Sequence, residues 1–67
     1  MIFNPKKLTE AREAAGMSRR QLSLLVGLNH SAVSAYERGL RTPSINSLAA
    51  ICGCLRIDIG TLFTRSK

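Results

Sequence analysis

The chain is poor in acid. Four Asp and Glu stand against ten Lys and Arg in 67 residues, a formal net charge of +6. So few carboxylates leave no acidic pair at a spacing that would hold a divalent ion or share general acid–base work. Histidine and cysteine are scarce as well. The single histidine, His30, lies over twenty residues from Cys52 and Cys54, whereas a zinc site takes four ligands at loop spacing. The two cysteines sit inside an apolar run and read as small buried hydrophobes, and a reducing cytoplasm would keep them as thiols. No metal or other cofactor is expected. Nucleophile–base pairs and phosphate-cradling glycine loops are also missing, so no catalytic residues are assigned and the chain does not read as an enzyme.

Long apolar runs are absent, which excludes a membrane span. The opening "MIFNPKKLTE" has neither the apolar stretch nor the small-residue cleavage site of a signal peptide, so the expected location is cytoplasmic. There are no repeats, no low-complexity tract, no linker and hardly any alternating strand pattern. Residues 1–67 are expected to form one domain, close to the smallest size at which a single core holds.

What the chain does have is helix punctuation. Pro5 after Asn4 suits a first helical turn, Leu8, Ala11, Arg12 and Ala15 follow on one face, and Gly16 stops the helix. Ser18 opens a second helix with Gln21 three residues on, a capping box, and Met17 and Leu22 as a hydrophobic staple. Leu25 and Val26 continue its buried stripe up to Gly27. A third helix takes Asn29 as its cap, with Leu28 and Val33 as its staple, and closes at Gly39. After "TPS", Ser44 caps a fourth with the stripe Leu48, Ile51, Cys52 and Leu55. Asp58 caps a last short turn carrying Ile59, Leu62 and Phe63. The expectation is all-α: five short helices, with loops of a few residues, in one compact domain.

Helices two and three, separated by a short turn around a glycine, describe a helix-turn-helix. With "LTEAREAAGMSRRQLSLLVGLNHSAVSAYERG", "TPSINSLAAIC" and "CLRIDIGTLF" in this order, the chain resembles the phage Cro and CI repressor-like (XRE-type) regulators from Leu8 to Phe63. The resemblance implies a lambda-repressor-like five-helix domain that reads DNA with its third helix. It also implies a salt bridge between Arg12 and Glu37 that holds the first helix against the third. Three positions depart from the family pattern. Arg19 stands where Gln or another polar residue is usual, Ser23 where Ala is usual, and Arg56 where a glycine commonly ends the fourth helix. A left-handed Arg56 would cost what glycine avoids, and Gly53 inside that helix costs up to about 1 kcal/mol relative to Ala.

Counting 100° per residue puts Ala32, Val33 and Tyr36 on the inner side of helix three, with Glu37 at the edge. His30, Ser31, Ser34, Ala35 and Arg38 share the other side, which has no apolar residue larger than Ala. Short side chains let a helix backbone approach base edges in the major groove. His30, Ser31 and Ser34 are therefore candidate base readers, with Ala35 placed for a thymine methyl; His30, at the first helical position, could instead meet a phosphate. Positive charge surrounds this face. The resemblance implies phosphate contacts at Arg19, at the start of helix two, and at Arg38, Arg41 and Thr42 after helix three. Asn29 could add one from its N–H. Arg20, Lys6 and Lys7 are either further phosphate contacts or solvated surface charges.

These residues together imply a sequence-specific transcriptional regulator, a repressor or a phage or mobile-element switch. It would bind double-stranded DNA at a palindromic operator as a weak homodimer that assembles there, with no small-molecule effector. Leu40, Ile45, Ile59 and Phe63 are the apolar residues available for the dimer, although Phe63 could equally belong to the core. The same fold also serves controllers of restriction–modification genes and antitoxins. For an antitoxin, Thr64 to Lys67 is short as a toxin-binding segment. Double-stranded RNA is disfavoured, because its deep, narrow major groove excludes a helix.

Overall fold

A computed structural model describes residues 2–65; Met1, Ser66 and Lys67 lie outside the described residues. Four α-helices follow in order: α1 (Pro5–Ala14), α2 (Arg19–Leu25), α3 (Ala32–Glu37) and α4 (Ile45–Leu55). A 3-10 turn over Ile59–Leu62 replaces the fifth helix expected from the sequence. Phe63 does not continue that turn but leaves it in strand β2 (Phe63–Thr64), which pairs antiparallel with β1 (Ile2–Phe3). The pairing sets Phe3 against Phe63, rings edge to face with centroids 6.2 Å apart. Asn4 reinforces the closure. Its N–H donates to the Leu62 carbonyl, its side-chain amide donates to Thr64 Oγ1 at 2.7 Å, and its Oδ1 accepts from the Lys6 N–H to cap α1.

The starts of α2 and α4 follow local chemistry. Ser18 and Gln21 form the reciprocal capping box of α2, and Ser44 Oγ accepts the Ser47 N–H at the start of α4. At the helix-turn-helix corner, Gly27 turns left-handed at φ 74° and the Leu28 N–H closes back on the Ser23 carbonyl. That backbone state favours a residue without Cβ. Arg56 ends α4 in the same state, at φ 58° and ψ 46°, with the Ile57 N–H on the Cys52 carbonyl.

Leu8, Leu22, Val33, Tyr36, Leu48, Ile51, Cys52, Leu55 and Leu62 form the buried core. Burial, helped by the Asp58 charge, pushes the Cys52 thiol above its usual range, as suits a cysteine packed as a hydrophobe. The stripe assigned to α2 needs correction. Leu25 is 64% exposed, whereas Ser23 is fully buried. Arg19, Leu22, Ser23 and Val26 lie within about 100° of one another on a helix, and Leu25 falls roughly 60° outside that arc. The face turned inward is the one that carries the polar bonds to α3. Among the described residues, no helix is long and apolar enough to cross a membrane.

Candidate nucleic-acid interface

Helix α3 is shorter than its punctuation suggests, because Asn29 does not cap it. The Asn29 carboxamide oxygen accepts from the Ser31 N–H at 3.0 Å and from the Ser31 hydroxyl at 2.9 Å. The Ala32 N–H meets the Asn29 carbonyl. An asparagine that bonds two residues ahead makes a turn of its own, so the α-helix begins only at Ala32. His30 and Ser31 stand exposed in this entry turn, while Ser34 and Ala35 are half-exposed on the helix proper. The Ser31 hydroxyl is already a donor to Asn29, which leaves its oxygen free to accept.

Ser31 occupies the cap position of α3 but makes no side-chain capping bond. The Val33 N–H, which needs a partner at this helix start, is taken instead by the buried Ser23 hydroxyl at 3.1 Å. Ser23 in turn donates its own proton to the Arg19 carbonyl at 2.9 Å. The sequence marks Ser23 only as a departure from the family pattern. The available signal was a polar side chain between Leu22 and Val26 where Ala is usual.

The far end of α3 is held by charge. Arg12 Nε and Nη2 donate to the two Glu37 oxygens at 2.6 and 3.2 Å, and Arg12 Nη1 donates to the Met17 carbonyl. The bridge implied by the family pattern is present, and it has a third member. Arg19 Nε donates to Glu37 Oε1 at 2.9 Å. The Glu37 side chain has no solvent exposure, the Arg12 side chain 10% and the Arg19 side chain 48%. Burial alone would raise the Glu37 pKa, but the hydrogen bonds from Arg12 and Arg19 outweigh it and hold the carboxyl below its ordinary range. The bond to Glu37 raises Arg12, which burial opposes.

Arg19 therefore begins α2 with its Nε engaged and its side chain about half in solvent. Arg38 ends α3 in the open, and Arg41 and Thr42 are exposed in the loop that follows, pinned by the buried Pro43. Lys6 and Arg20 are exposed, whereas Lys7 donates to the Phe63 carbonyl and so ties α1 to β2. Around α3 the described residues thus bring together a small polar face, an exposed turn before it and exposed arginines after it.

A family profile described as "Helix-turn-helix" matches residues 8–62. The chain belongs to the Cro/CI-type helix-turn-helix family. It is 32% identical over 62 residues to the HTH-type transcriptional regulator PuuR of Escherichia coli K12, covering 92% of this chain and 34% of PuuR. Among solved structures, it superposes with TM-score 0.82 on the restriction-modification controller protein C.AhdI from Aeromonas hydrophila, at 36% identity over 88% of this chain and 89% of that one. SinR, a master regulator for biofilm formation solved in complex with DNA, gives TM-score 0.81 at 30% identity, over 88% of this chain and 98% of that one. The chain spans between 28% and 39% of the length of the curated relatives it matches.

Proposed function

We propose that residues 1–67 act as the DNA-binding domain of a sequence-specific transcriptional regulator that docks α3 in the major groove of a palindromic operator as a dimer. The observation that carries this reading is the outer face of α3. His30, Ser31, Ser34 and Ala35 offer short polar and methyl-sized groups, and no bulky apolar residue stands in the way of a close approach. Arg38, Arg41 and Thr42, with Arg19 and the Asn29 backbone, supply the phosphate contacts. Likeness to SinR, which was solved in complex with DNA, supports DNA as the partner. Likeness to C.AhdI supports a narrower version, control of restriction–modification genes.

Selection of bound duplexes from a random pool tests the proposal. It should return a two-fold symmetric site with half-sites about one helical turn apart. Salt titration then separates attraction from reading. Arg41 is the cleaner phosphate probe, because Arg19 also holds Glu37. Arg41→Ala should weaken binding to selected and scrambled duplexes alike and flatten the slope of log affinity against log salt by about one. Ser34→Ala should leave the slope unchanged and cost about 1–3 kcal/mol on the selected duplex only. Equal loss on both duplexes for Ser34→Ala would mean that this face does not read sequence.

A further inference from the structure

Helix α3 spans six residues and makes no side-chain capping bond of its own. Its start is held from another helix. The Ser23 hydroxyl accepts the Val33 N–H at 3.1 Å while donating to Arg19 O at 2.9 Å, in a site with no solvent exposure. The two bonds are mutually consistent. Giving its proton to the Arg19 carbonyl leaves the serine oxygen with lone pairs for an incoming N–H. Because the site is closed to solvent, water cannot substitute for this acceptor. Four residues earlier on α2, Arg19 Nε bonds Glu37, four residues after Val33 on α3. Helix α2 thus grips α3 near both ends, through Arg19 and Ser23, two positions where the chain departs from the family pattern.

We infer that Ser23 is a positioning residue for DNA reading, its hydroxyl capping α3 from across the turn and setting where Ser34 and Ala35 meet the base edges. The inference rests on the DNA-reading function proposed above. Val33 immediately precedes Ser34, so a shift of the Val33 backbone is passed directly to the reader. A short hydroxyl must lie within a few tenths of an ångström of its hydrogen-bonding distance, whereas a long arginine reaches a phosphate from several backbone positions. Loosening this start therefore damages reading more than attraction.

The test uses Ser23→Ala, in which the small Ala fits the same space without an acceptor, and Ser23→Thr, which keeps the hydroxyl. In the free protein, amide hydrogen exchange at Val33 should quicken by about tenfold or more in Ser23→Ala relative to the exchange of Ile51, which reports the core. On DNA, well below the melting temperature of each protein, Ser23→Ala should lose about tenfold in affinity for the selected duplex, with less than about a twofold change on scrambled DNA. Ser23→Thr should restore the ratio. Should Ser23→Thr fold poorly because of its added methyl, Ser23→Cys, with its weaker acceptor, should fall between parent and Ser23→Ala.

Unchanged Val33 exchange relative to Ile51 would overturn the trans cap. Equal loss on both duplexes would reduce Ser23 to a stabilising residue and overturn the inference. A parent protein that selects no duplex would remove the DNA-reading function and this inference with it. The exchange data, taken without DNA, would still report whether the bond exists.

Discussion

Glu37 carries two arginines on one fully enclosed carboxylate. An intact buried pair adds little net stability, because desolvation offsets the attraction, but stranding one member costs about 3–5 kcal/mol. Arg12→Ala leaves Glu37 with Arg19, which is half in solvent and holds it less firmly. The expected loss is near the lower end, about 3 kcal/mol, or more than about 10 °C in melting temperature for a domain of this size. The loss also depends on pH. Glu37 titrates below its ordinary value when folded, so its stabilisation is complete above the unfolded carboxylate value and fades as pH falls through the lower folded value. The stability gap between parent and Arg12→Ala should be flat from about pH 6 to 8 and shrink below about pH 4, measured by denaturant unfolding. A gap that widened in acid would mean that Glu37 is not the partner that matters. A variant that melts like the parent yet loses DNA binding would place Arg12 on DNA.

Helix α4 carries two locally unfavourable residues, Gly53 and Arg56. Gly53 lies exposed in the last turn of this helix, and a Cβ built there meets no heavy atom within 4 Å beyond the helix's own backbone. Nothing in the packing requires glycine at this position. Gly53→Ala should therefore add up to about 1 kcal/mol and raise the melting temperature by a few degrees. A thermal melt of the purified variant decides it, and a fall would reveal a need for close approach at that position. Arg56 adds to the softness of this end through its left-handed backbone. Helix α3 is as instructive. Its entry turn belongs to Asn29 and its first orphan N–H to Ser23, so the element that would do the reading is defined largely by its neighbours.

At the scale of the whole molecule, three or four reading side chains contact too few bases to single out one site in a genome, and a second copy doubles the site. The structure separates the candidates for that contact. Phe63 packs on Phe3 and the core, while Leu40 and Ile45 remain 66% and 68% exposed beside the α3–α4 loop and Ile59 remains 39% exposed. Leu24 and Leu25 form a second exposed apolar patch, along a groove with Gly16, Met17 and Gln21. The proposed dimer uses Leu40 and Ile45. Sedimentation should show monomers at low concentration and two copies per selected duplex. Leu40→Ser should weaken that cooperativity at least several-fold and Leu25→Ser should not. Strict one-to-one binding to asymmetric sites would remove the dimer.

What the residues determined by themselves were features made within one turn of chain. The Ser18–Gln21 box, the Ser44 cap, the corner at Gly27 and the α4 stripe Leu48, Ile51, Cys52 and Leu55 all depend on neighbours three to five positions away, and all stand in the structure as the sequence implies. The Arg12–Glu37 bridge was legible only through the family pattern, since 25 residues separate its ends. Only the tertiary structure decided the rest. Two-residue strands carry no alternation to detect, so the pairing of Ile2–Phe3 with Phe63–Thr64 emerged from chain closure. Asn29 makes its own turn with Ser31 rather than capping α3, and the Val33 N–H that a cap at Ser31 would have served goes to Ser23 across the corner. Which side of α2 turns inward was settled the same way. Leu25 yielded the interior to a serine because a buried hydroxyl with both of its bonds made is tolerated there, and one of those bonds comes from a helix the chain reaches only after it has turned the corner at Gly27.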